Sequence, residues 1–271
     1  MTESHYSLRL INGRLDSPGL ISRAELLGQG LFETLRWNGR RFPLVTFHEA
    51  RLRRGATWLG YDPDAVVSAF RSELASHVAP VLPASSAIVR FQWSHHQAER
   101  GYRSMAGTPV TLWQWSLTAP ELVRSLETLE ISARPMPENP GPPVKHTSRV
   151  DQVMAAAEQG TGQLRCDRAG WLREGLSGNL VFWRHGYLCT PTLDRHGVEG
   201  SLLSWLRDFY RIQGWPILRG DFPRAALDDA QAVLLINAVG AQVVNGYHQT
   251  RYNTHLPQLQ TTLQAIRQLF S

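Results

Sequence analysis

Apolar and polar residues alternate along several stretches of the chain. This alternation predicts β-strands, because successive side chains on a strand point to opposite faces. The strands predicted in this way lie at 7–11 and 30–37, and further strands, predicted to be buried, lie at 87–93, 109–116 and 231–237. Asn12-Gly13 and Asn38-Gly39 follow the first two of them. Asn-Gly is typical of a tight hairpin turn, so we expect hairpins that are completed by 14–15 and by 41–44.

A helical period replaces the alternation from Thr46 onward. Thr46 and Glu49 have the spacing of a capping box, so we expect Thr46 to begin a helix that Gly60 ends. Further helices are predicted at 64–78, 150–160, 201–213 and 256–269. Ser201 is the candidate cap of the third, and the apolar side of the second is formed by Val150, Val153, Met154 and Ala157. The mixture of helices and hairpins favours a mixed α/β (α+β) fold.

The length of 271 residues fits two domains of ordinary size. The strands of the first half end near Ala119-Pro120, so we expect domains at 1–119 and 120–271. A proline-rich stretch at 134–143 can form neither a helix nor a central strand. It leads directly into Val144-Lys145, which stiffens the backbone on the amino-terminal side of that lysine.

The composition narrows the class of protein. Apolar residues make up 42% of the chain, enough for a buried core. The net charge is +5, but the basic residues are scattered, which favours a basic solvated surface over a nucleic-acid groove. The sequence has neither an apolar signal core nor a span of about 20 apolar residues, so we expect no export and no membrane insertion. Cys166 and Cys189 match no metal motif and no disulfide framework, which is typical of a cytoplasmic protein.

Lys145 is the only lysine among 28 basic residues. Arginine cannot replace lysine where a neutral amine is needed, because guanidinium stays protonated. A lysine that persists in so arginine-rich a chain can serve as the amine that attacks a carbonyl, and burial would lower its pKa toward neutrality. The count alone is equally compatible with one tolerated surface lysine.

Three other segments have possible functions, although each one alone is typical of ordinary structure. Glu174 precedes a Gly/Ser/Asn turn and a buried strand, where a carboxylate can keep a pyridine nitrogen protonated. The glycine-bearing segment 197–202 enters a helix, whose free amides suit a phosphate. Arg51 lies on an early helix, where a guanidinium can clamp a phosphate.

The order of these segments is similar to that of the class-IV aminotransferase family, the fold type IV enzymes of pyridoxal 5'-phosphate (PLP). The pattern is Gly-x-Gly-x-Phe-Glu-Thr, His-x-x-Arg-Leu, the lone lysine and Glu-x-x-x-x-Asn-Leu, and the resemblance runs from about Leu10 to Val244. Within the family, three stretches resemble the aminodeoxychorismate lyases: Lys145-His-Thr-Ser-Arg-Val-Asp-Gln-Val153, Asp167-Arg-Ala-Gly-Trp-Leu-Arg-Glu174 and Arg100-Gly-Tyr102.

The resemblance implies a small α/β N-terminal domain, a larger C-terminal pseudo-barrel and a homodimer. It also implies PLP held as a Schiff base on Lys145, with Glu174 at the pyridine nitrogen. The implied phosphate ligands are the Arg51 side chain and the backbone amides of Ser201, Leu202, Asn237 and Ala238. The implied substrate side comprises Arg90, Arg100 and Tyr102, with Thr34 and Glu33 on the neighbouring strand.

The activity that the resemblance implies is conversion of 4-amino-4-deoxychorismate to 4-aminobenzoate and pyruvate, a step of folate synthesis. The chain departs from the pattern at His95-His96, where the lyases often have Arg-Gly, at Gly28-Gln29-Gly30, and at Leu202-Leu203. One alternative is a transaminase that acts on a D- or branched-chain amino acid or on an amine. Another is a subunit that has lost its chemistry, against which the retained Lys145 and Glu174 argue.

Overall fold

The computed structural model describes residues 10–11, 14–15, 22–95, 102, 110–116, 119–158 and 163–271. These residues form two compact units. The N-terminal unit contains the described residues up to Pro120 together with Val144–Arg149, and the C-terminal unit contains Glu121–Pro143 and Val150–Ser271. Val144–Arg149 thus belongs to the N-terminal unit, whereas the sequence boundary placed it in the second domain. The reason is backbone pairing, since the Phe32 amide donates to the Lys145 carbonyl.

The N-terminal unit is built on one antiparallel sheet. Its strands are β1 (Leu10–Ile11), β2 (Arg14–Leu15), β3 (Leu31–Trp37), β4 (Ala87–Ser94) and β5 (Val110–Ser116), in the order β2-β1-β5-β4-β3. Its helices are α1 (Arg23–Leu27), α2 (Val45–Leu59) and α3 (Pro63–Glu73), and α3 continues as a π-helical turn, Leu74–Val78, and a 3-10 turn, Ala79–Val81. The hairpin expected at Asn12-Gly13 is confirmed by the pairing of β1 with β2.

Two predictions in this unit were wrong. The strand β3 pairs with β4, not with 41–44. The Asn38 amide donates to the Arg41 carbonyl and closes a turn, but Pro43 has no amide for a ladder and the chain enters α2 at once. The helix also begins before Thr46, because its cap position is Leu44, which makes no side-chain capping bond.

The sheet of the N-terminal unit has a buried face and an accessible face. Alternation along β3 buries Leu31, Glu33 and Leu35, whereas Phe32 and Thr34 remain partly exposed. The buried face packs with apolar residues of α2 and α3, including Leu52 and Phe70. Glu33 is therefore a carboxylate that is buried on the same face as these apolar residues.

The C-terminal unit contains a larger, mixed sheet. The strands of this sheet are β6 (Val123–Leu126), β7 (Glu130–Ile131), β8 (Gln163–Cys166), β9 (Leu172–Gly175), β10 (Asn179–Arg184), β11 (Tyr187–Pro191), β12 (Leu218–Gly220), β13 (Ala232–Asn237) and β14 (Gly240–Val244). A separate two-stranded sheet contains β15 (Gly246–Tyr247) and β16 (Thr250–Arg251). The main path is β6-β14-β13-β10-β9-β8-β7, β11 pairs with β10 and β12, and β15 pairs with β16. The helices are α4 (Val150–Glu158), α5 (Ser201–Ile212) and α6 (Pro257–Leu269), and a 3-10 turn lies at Arg224–Leu227.

The mixed α/β class is thereby confirmed, but two details of the helices differ from expectation. The cap position of α5 is Gly200, and Ser201 is already helical. The apolar side predicted for α4 points outward, since Val150 is 73% exposed and Val153 is 64% exposed, while Ala155 on another side is buried. Sequence periodicity identified the helix but not the side that the chain itself covers. Across the described ranges, no helix combines the length and the apolar character that a bilayer crossing requires.

Candidate active site

Lys145 lies on a short segment that pairs with the start of β3. The Phe32 amide donates to the Lys145 carbonyl at 3.0 Å, and the Thr147 amide donates to the Gly30 carbonyl at 2.9 Å. The Thr147 hydroxyl also donates to the Gly28 carbonyl at 2.7 Å. Hydrogen bonds on both sides of the lysine fix its backbone, so the direction of its side chain is set by the sheet.

Arg149 braces the same segment from within. Its Nε donates to the His146 carbonyl at 3.1 Å, and its Nη2 donates to the Val144 carbonyl at 3.1 Å. The guanidinium thus donates to the carbonyl groups of Val144 and His146, which lie on either side of Lys145 and are not used in the pairing with β3. Its charge also lies close enough to lower the pKa of the lysine.

The Lys145 amine lies over an aromatic ring on the accessible face of the sheet. Its Nζ is 4.7 Å from the centroid of the Phe32 ring, and the Arg90 guanidinium carbon is 4.1 Å from the same centroid. Burial lowers the pKa of the amine to about 8, and the charge of Arg51 adds to the shift while Glu33 opposes it. A substantial fraction of the amine is therefore neutral near physiological pH, as a nucleophile or a general base requires.

A buried ionic cluster lies on the opposite face of β3. Both carboxylate oxygens of Glu33 accept from Arg51, through Nε at 2.8 Å and through Nη2. The Nδ1 of His48 lies 2.7 Å from Glu33 Oε2. Burial by itself raises the pKa of the Glu33 carboxyl, but Arg51 and His48 together lower it to about 2. Burial also lowers the pKa of His48, so its ring is neutral at physiological pH.

The structure separates residues that the sequence grouped together. Thr34 lies opposite Arg90 in the ladder and shares its accessible face. Glu33 was expected beside Thr34 on the substrate side, but it points to the buried face, where it holds Arg51. The reason is the alternation of side chains along β3, which puts neighbouring residues on opposite faces.

Of the remaining residues predicted on the substrate side, the structure describes Tyr102. Tyr102 is 88% exposed, and its carbonyl accepts from Arg23 at 3.3 Å. Arg100 lies outside the described residues, as does His96. His95 is buried, and its ring packs edge-on against Tyr61 at 4.7 Å. The residue in place of the usual Arg is thus a packed core side chain.

Glu174 lies on β9 of the C-terminal unit, and its carboxylate is buried. Its Oε2 accepts from the Val198 amide at 2.9 Å. A Cβ added at Gly197 would lie 2.5 Å from the carboxyl carbon of Glu174, and Gly197 has a φ of +75°. Only glycine allows the loop to cover this carboxylate so closely. The pairing of β9 with β8 also shifts register here, and such irregularities are common beside functional sites.

Asn179 organises the loop that leads into α5, and the sequence reasoning gave it no role. Its Nδ2 donates to the Val198 carbonyl at 2.7 Å, and its Oδ1 accepts from the Gly200 amide at 2.9 Å. The signal that could have identified it was the motif Glu-x-x-x-x-Asn, which puts an amide side chain beside the carboxylate. The first turn of α5 contains the buried residues Ser201 and Leu202. Amides in a first turn have no intrahelical acceptor and can bind an anion.

A second pair of predicted amides lies at the turn between β13 and β14. Asn237 closes this turn, since its Oδ1 accepts from the Val239 amide at 2.8 Å and from the Gly240 amide at 3.1 Å. Its Nδ2 donates to the Ser177 carbonyl at 2.7 Å. The side chain is therefore occupied, so Asn237 and Ala238 can offer a ligand backbone groups only.

The chain is similar to known proteins over most of its length. Residues 30–245 match the family described as Amino-transferase class IV. The structure is similar to 4-amino-4-deoxychorismate lyase from Pseudomonas aeruginosa, with a TM-score of 0.83 and 26% identity over 95% of this chain and 98% of that chain.

Two aminotransferases share the fold at lower identity. The branched-chain aminotransferase of Thermoproteus uzoniensis with norvaline has a TM-score of 0.79 and 18% identity, over 98% of this chain and 95% of that chain. A hypothetical aminotransferase from Mycobacterium tuberculosis in its PLP-bound form has a TM-score of 0.73 and 20% identity, over 97% and 98%.

Each unit, taken by itself, contains residues of the kinds that this family's cofactor needs. The N-terminal unit offers the Lys145 amine, whose low pKa allows it to bond an aldehyde. The C-terminal unit offers the buried Glu174 carboxylate for a pyridinium and the first turn of α5 for a phosphate. The chain therefore belongs to the class IV aminotransferases, and its cofactor is pyridoxal 5'-phosphate.

Proposed function

We propose that the chain is a lyase that converts 4-amino-4-deoxychorismate to 4-aminobenzoate and pyruvate. The observation that carries the proposal is its likeness to the lyase of Pseudomonas aeruginosa over nearly the whole of both chains. That likeness has a higher identity and a higher TM-score than the likeness to either of the two aminotransferases described above. The motif that begins with Lys145 and ends with Val153 supports the same assignment.

Lys145 is the proposed base of the reaction. Its neutral amine removes the proton from the ring carbon that bears the substrate amine, and its pKa of about 8 makes that amine available. When bound, PLP supplies a conjugated ring that takes up the electron pair of the broken bond. The bond between the ring and the enolpyruvyl oxygen then breaks, the departing group takes up the abstracted proton to become pyruvate, and the substrate ring becomes aromatic. The elimination consumes neither water nor an oxidant, so it needs no further reactant.

Six other positions are proposed to hold the cofactor. Glu174 keeps the pyridine nitrogen protonated, and its buried position suits this role. The phosphate is bound by Arg51 and by the backbone amides of Ser201, Leu202, Asn237 and Ala238. Two of the donors of Arg51 are already taken by Glu33, which orients the guanidinium rather than leaving it mobile.

The two carboxylates of the substrate require cationic partners, and Arg90 is the first candidate. Its guanidinium lies over Phe32 on the same face as Thr34, and Phe32 also lies beneath the Lys145 amine. Burial lowers the pKa of Arg90, but guanidinium remains charged at every physiological pH. Arg100 and Tyr102 are proposed as further substrate contacts, on the strength of the motif alone.

The proposal extends to the setting of the reaction. 4-Aminobenzoate is a precursor of folate, so the chain would act in folate synthesis. We propose a homodimer, which the exposed apolar side of α4 supports because a second copy could cover it. A cytoplasmic location accords with the two cysteines, which are both free and buried.

The test is an assay with purified protein, PLP and 4-amino-4-deoxychorismate, in which 4-aminobenzoate and pyruvate are both measured. We expect both products from the wild type and neither from Lys145→Ala. Lys145→Arg should be equally inactive, because it keeps the charge but offers no neutral amine. Equal turnover by these variants would refute the role of Lys145. A keto acid and a new amine, formed in place of 4-aminobenzoate, would indicate the transaminase.

A further inference from the structure

Arg165 is a fully buried cation in the C-terminal unit, with an exposure of 0%. Its Nη1 donates to Asp151 Oδ2 at 3.0 Å and to Gln152 Oε1 at 2.8 Å. Its Nη2 donates to the Pro135 carbonyl at 3.2 Å. One side chain on β8 thus joins the proline-rich stretch to the first turn of α4.

These partners flank the segment of Lys145 on both sides. Pro135 lies ten positions before Lys145, and Asp151 lies six positions after it. Both belong to the C-terminal unit, whereas Val144–Arg149 belongs to the N-terminal unit. Arg165 therefore joins a part of the chain that precedes the lysine segment to the helix that follows the segment directly.

The energetic cost of Arg165 indicates that its geometry matters. Its Nε has no hydrogen-bond partner within the described residues, and its one carboxylate partner, Asp151, is 27% exposed. A buried cation that is only partly compensated stabilises a fold less than a well-packed apolar side chain. A planar guanidinium, however, fixes the directions of several acceptors at once.

We propose that Arg165 is a positioning residue that ties together the parts of the chain before and after the Lys145 segment and so helps to hold the lysine amine in place. The inference rests on the proposed role of Lys145 in the enzyme. It does not depend on whether the reaction is elimination or transamination, because both need the same amine.

Lys145 is the only lysine, so the chemistry of its amine can be followed at one site. The pH dependence of its acylation is measured in the full chain freed of cofactor, by peptide mass spectrometry. The absorbance of the lysine-bound cofactor is titrated with pH in the holoenzyme. The variants are Arg165→Met, Asp151→Asn and Gln152→Ala. Arg165→Lys is unsuitable because it adds a second lysine.

A displaced segment exposes the amine to water, so the acylation pKa should rise from about 8 toward 10.5. We expect all three variants to raise it, Arg165→Met by roughly one unit. If these residues acted on the amine through their charges alone, the two variants would shift its pKa in opposite directions. Loss of a cation raises the pKa of a nearby amine, and loss of an anion lowers it. Arg165→Met and Asp151→Asn should thus shift in the same direction if Arg165 positions the segment. Opposite shifts, or no shift in any folded variant, would overturn the proposal.

Arg184→Met is the matched control. Arg184 also lies on a strand of the C-terminal unit, pairs with one carboxylate, Asp229, and has a buried Nε without a partner in the described residues. It has no bond to either flank of the lysine segment among the contacts of the described residues. We expect an unchanged pKa in this variant, and a rise equal to that of Arg165→Met would overturn the proposal.

If Arg165→Met fails to fold, Asp151→Asn and Gln152→Ala still test the proposal, because Asp151 and Gln152 are partly exposed.

A separate measurement tests whether the cofactor is attached to Lys145. Borohydride reduction of the wild-type holoenzyme should add the cofactor mass to the peptide that contains Lys145. A cofactor mass elsewhere contradicts the proposed function, whereas the acylation pKa values in the cofactor-free chain still report on Arg165.

Discussion

Glu33→Gln is the substitution whose effect the structure defines most sharply. It removes the negative charge that bonds both Arg51 and His48, at a position with 2% exposure, while the shape of the side chain is kept. Arg51 is then left as a buried cation without its bidentate partner. Breaking a buried ion pair in this way typically costs about 3–5 kcal/mol.

The lowered pKa of Glu33 gives a similar value for the stability that its ionic partners contribute. A fall from 4.5 to about 2 corresponds to about 3 kcal/mol of stability. The sign follows from linkage, since a carboxyl with a lowered pKa contributes stability above its ordinary pKa. That contribution is fully present above about pH 4.5 and is lost as the pH falls toward 2. Glu33→Gln should therefore destabilise the protein strongly at pH 7 and remove this part of the acid sensitivity.

The assay is urea unfolding followed by tryptophan fluorescence, to which Trp37 and Trp93 in the core of the N-terminal unit contribute. The matched control is Glu49→Gln on the same helix as Arg51, because Glu49 pairs with Arg71, which is 64% exposed. We expect little change from Glu49→Gln, and partial recovery when Glu33→Gln is combined with Arg51→Met. The reasoning is refuted if Glu33→Gln changes the free energy of unfolding no more than Glu49→Gln does.

Three further predictions follow from the site. The pKa of Lys145 is lowered from 10.5 to about 8, so the cofactor-free chain should gain stability as the pH rises through that window; a gain of the same size in Lys145→Met would contradict this. Gly197→Ala should weaken PLP binding in a cofactor titration more than Gly214→Ala does, because both have φ near +75° but only Gly197 lies against Glu174; equal losses would mean that backbone strain alone matters. Arg90→Met should raise KM for the dianionic substrate more than it lowers kcat, and an unchanged KM in steady-state kinetics would remove Arg90 from the substrate site.

Much of the fold was predictable because local patterns encode it. Strands 87–93 and 231–237 follow from their apolar residues, and the end of a helix follows from the left-handed conformation that Gly60 tolerates. The structure has them at Ala87–Ser94, at Ala232–Asn237 and at Gly60. The partner of β3 was not predictable in the same way. Asn38-Gly39 predicts a turn, but it does not predict which segment pairs with β3. In the structure β3 pairs with β4, which begins 50 residues after β3 ends.

The candidate site likewise has features that the sequence determined and features that only the tertiary structure decided. By itself, the sequence determined that the chain has one lysine, that a motif of the class IV aminotransferases surrounds it, and that Glu174 and the entry to α5 accompany it. Those are statements about residue type and spacing, which a linear pattern contains in full.

Only the tertiary structure decided that Glu33 turns away from Thr34 to hold Arg51, and that α4 shows its apolar side to the outside. It alone buried Arg165 against both flanks of the lysine segment. The physical reason is that burial and the pairing of charges depend on contacts between distant parts of the chain. Sequence periodicity gives the faces of an element, but the neighbours that cover each face are chosen by the packing of the whole unit.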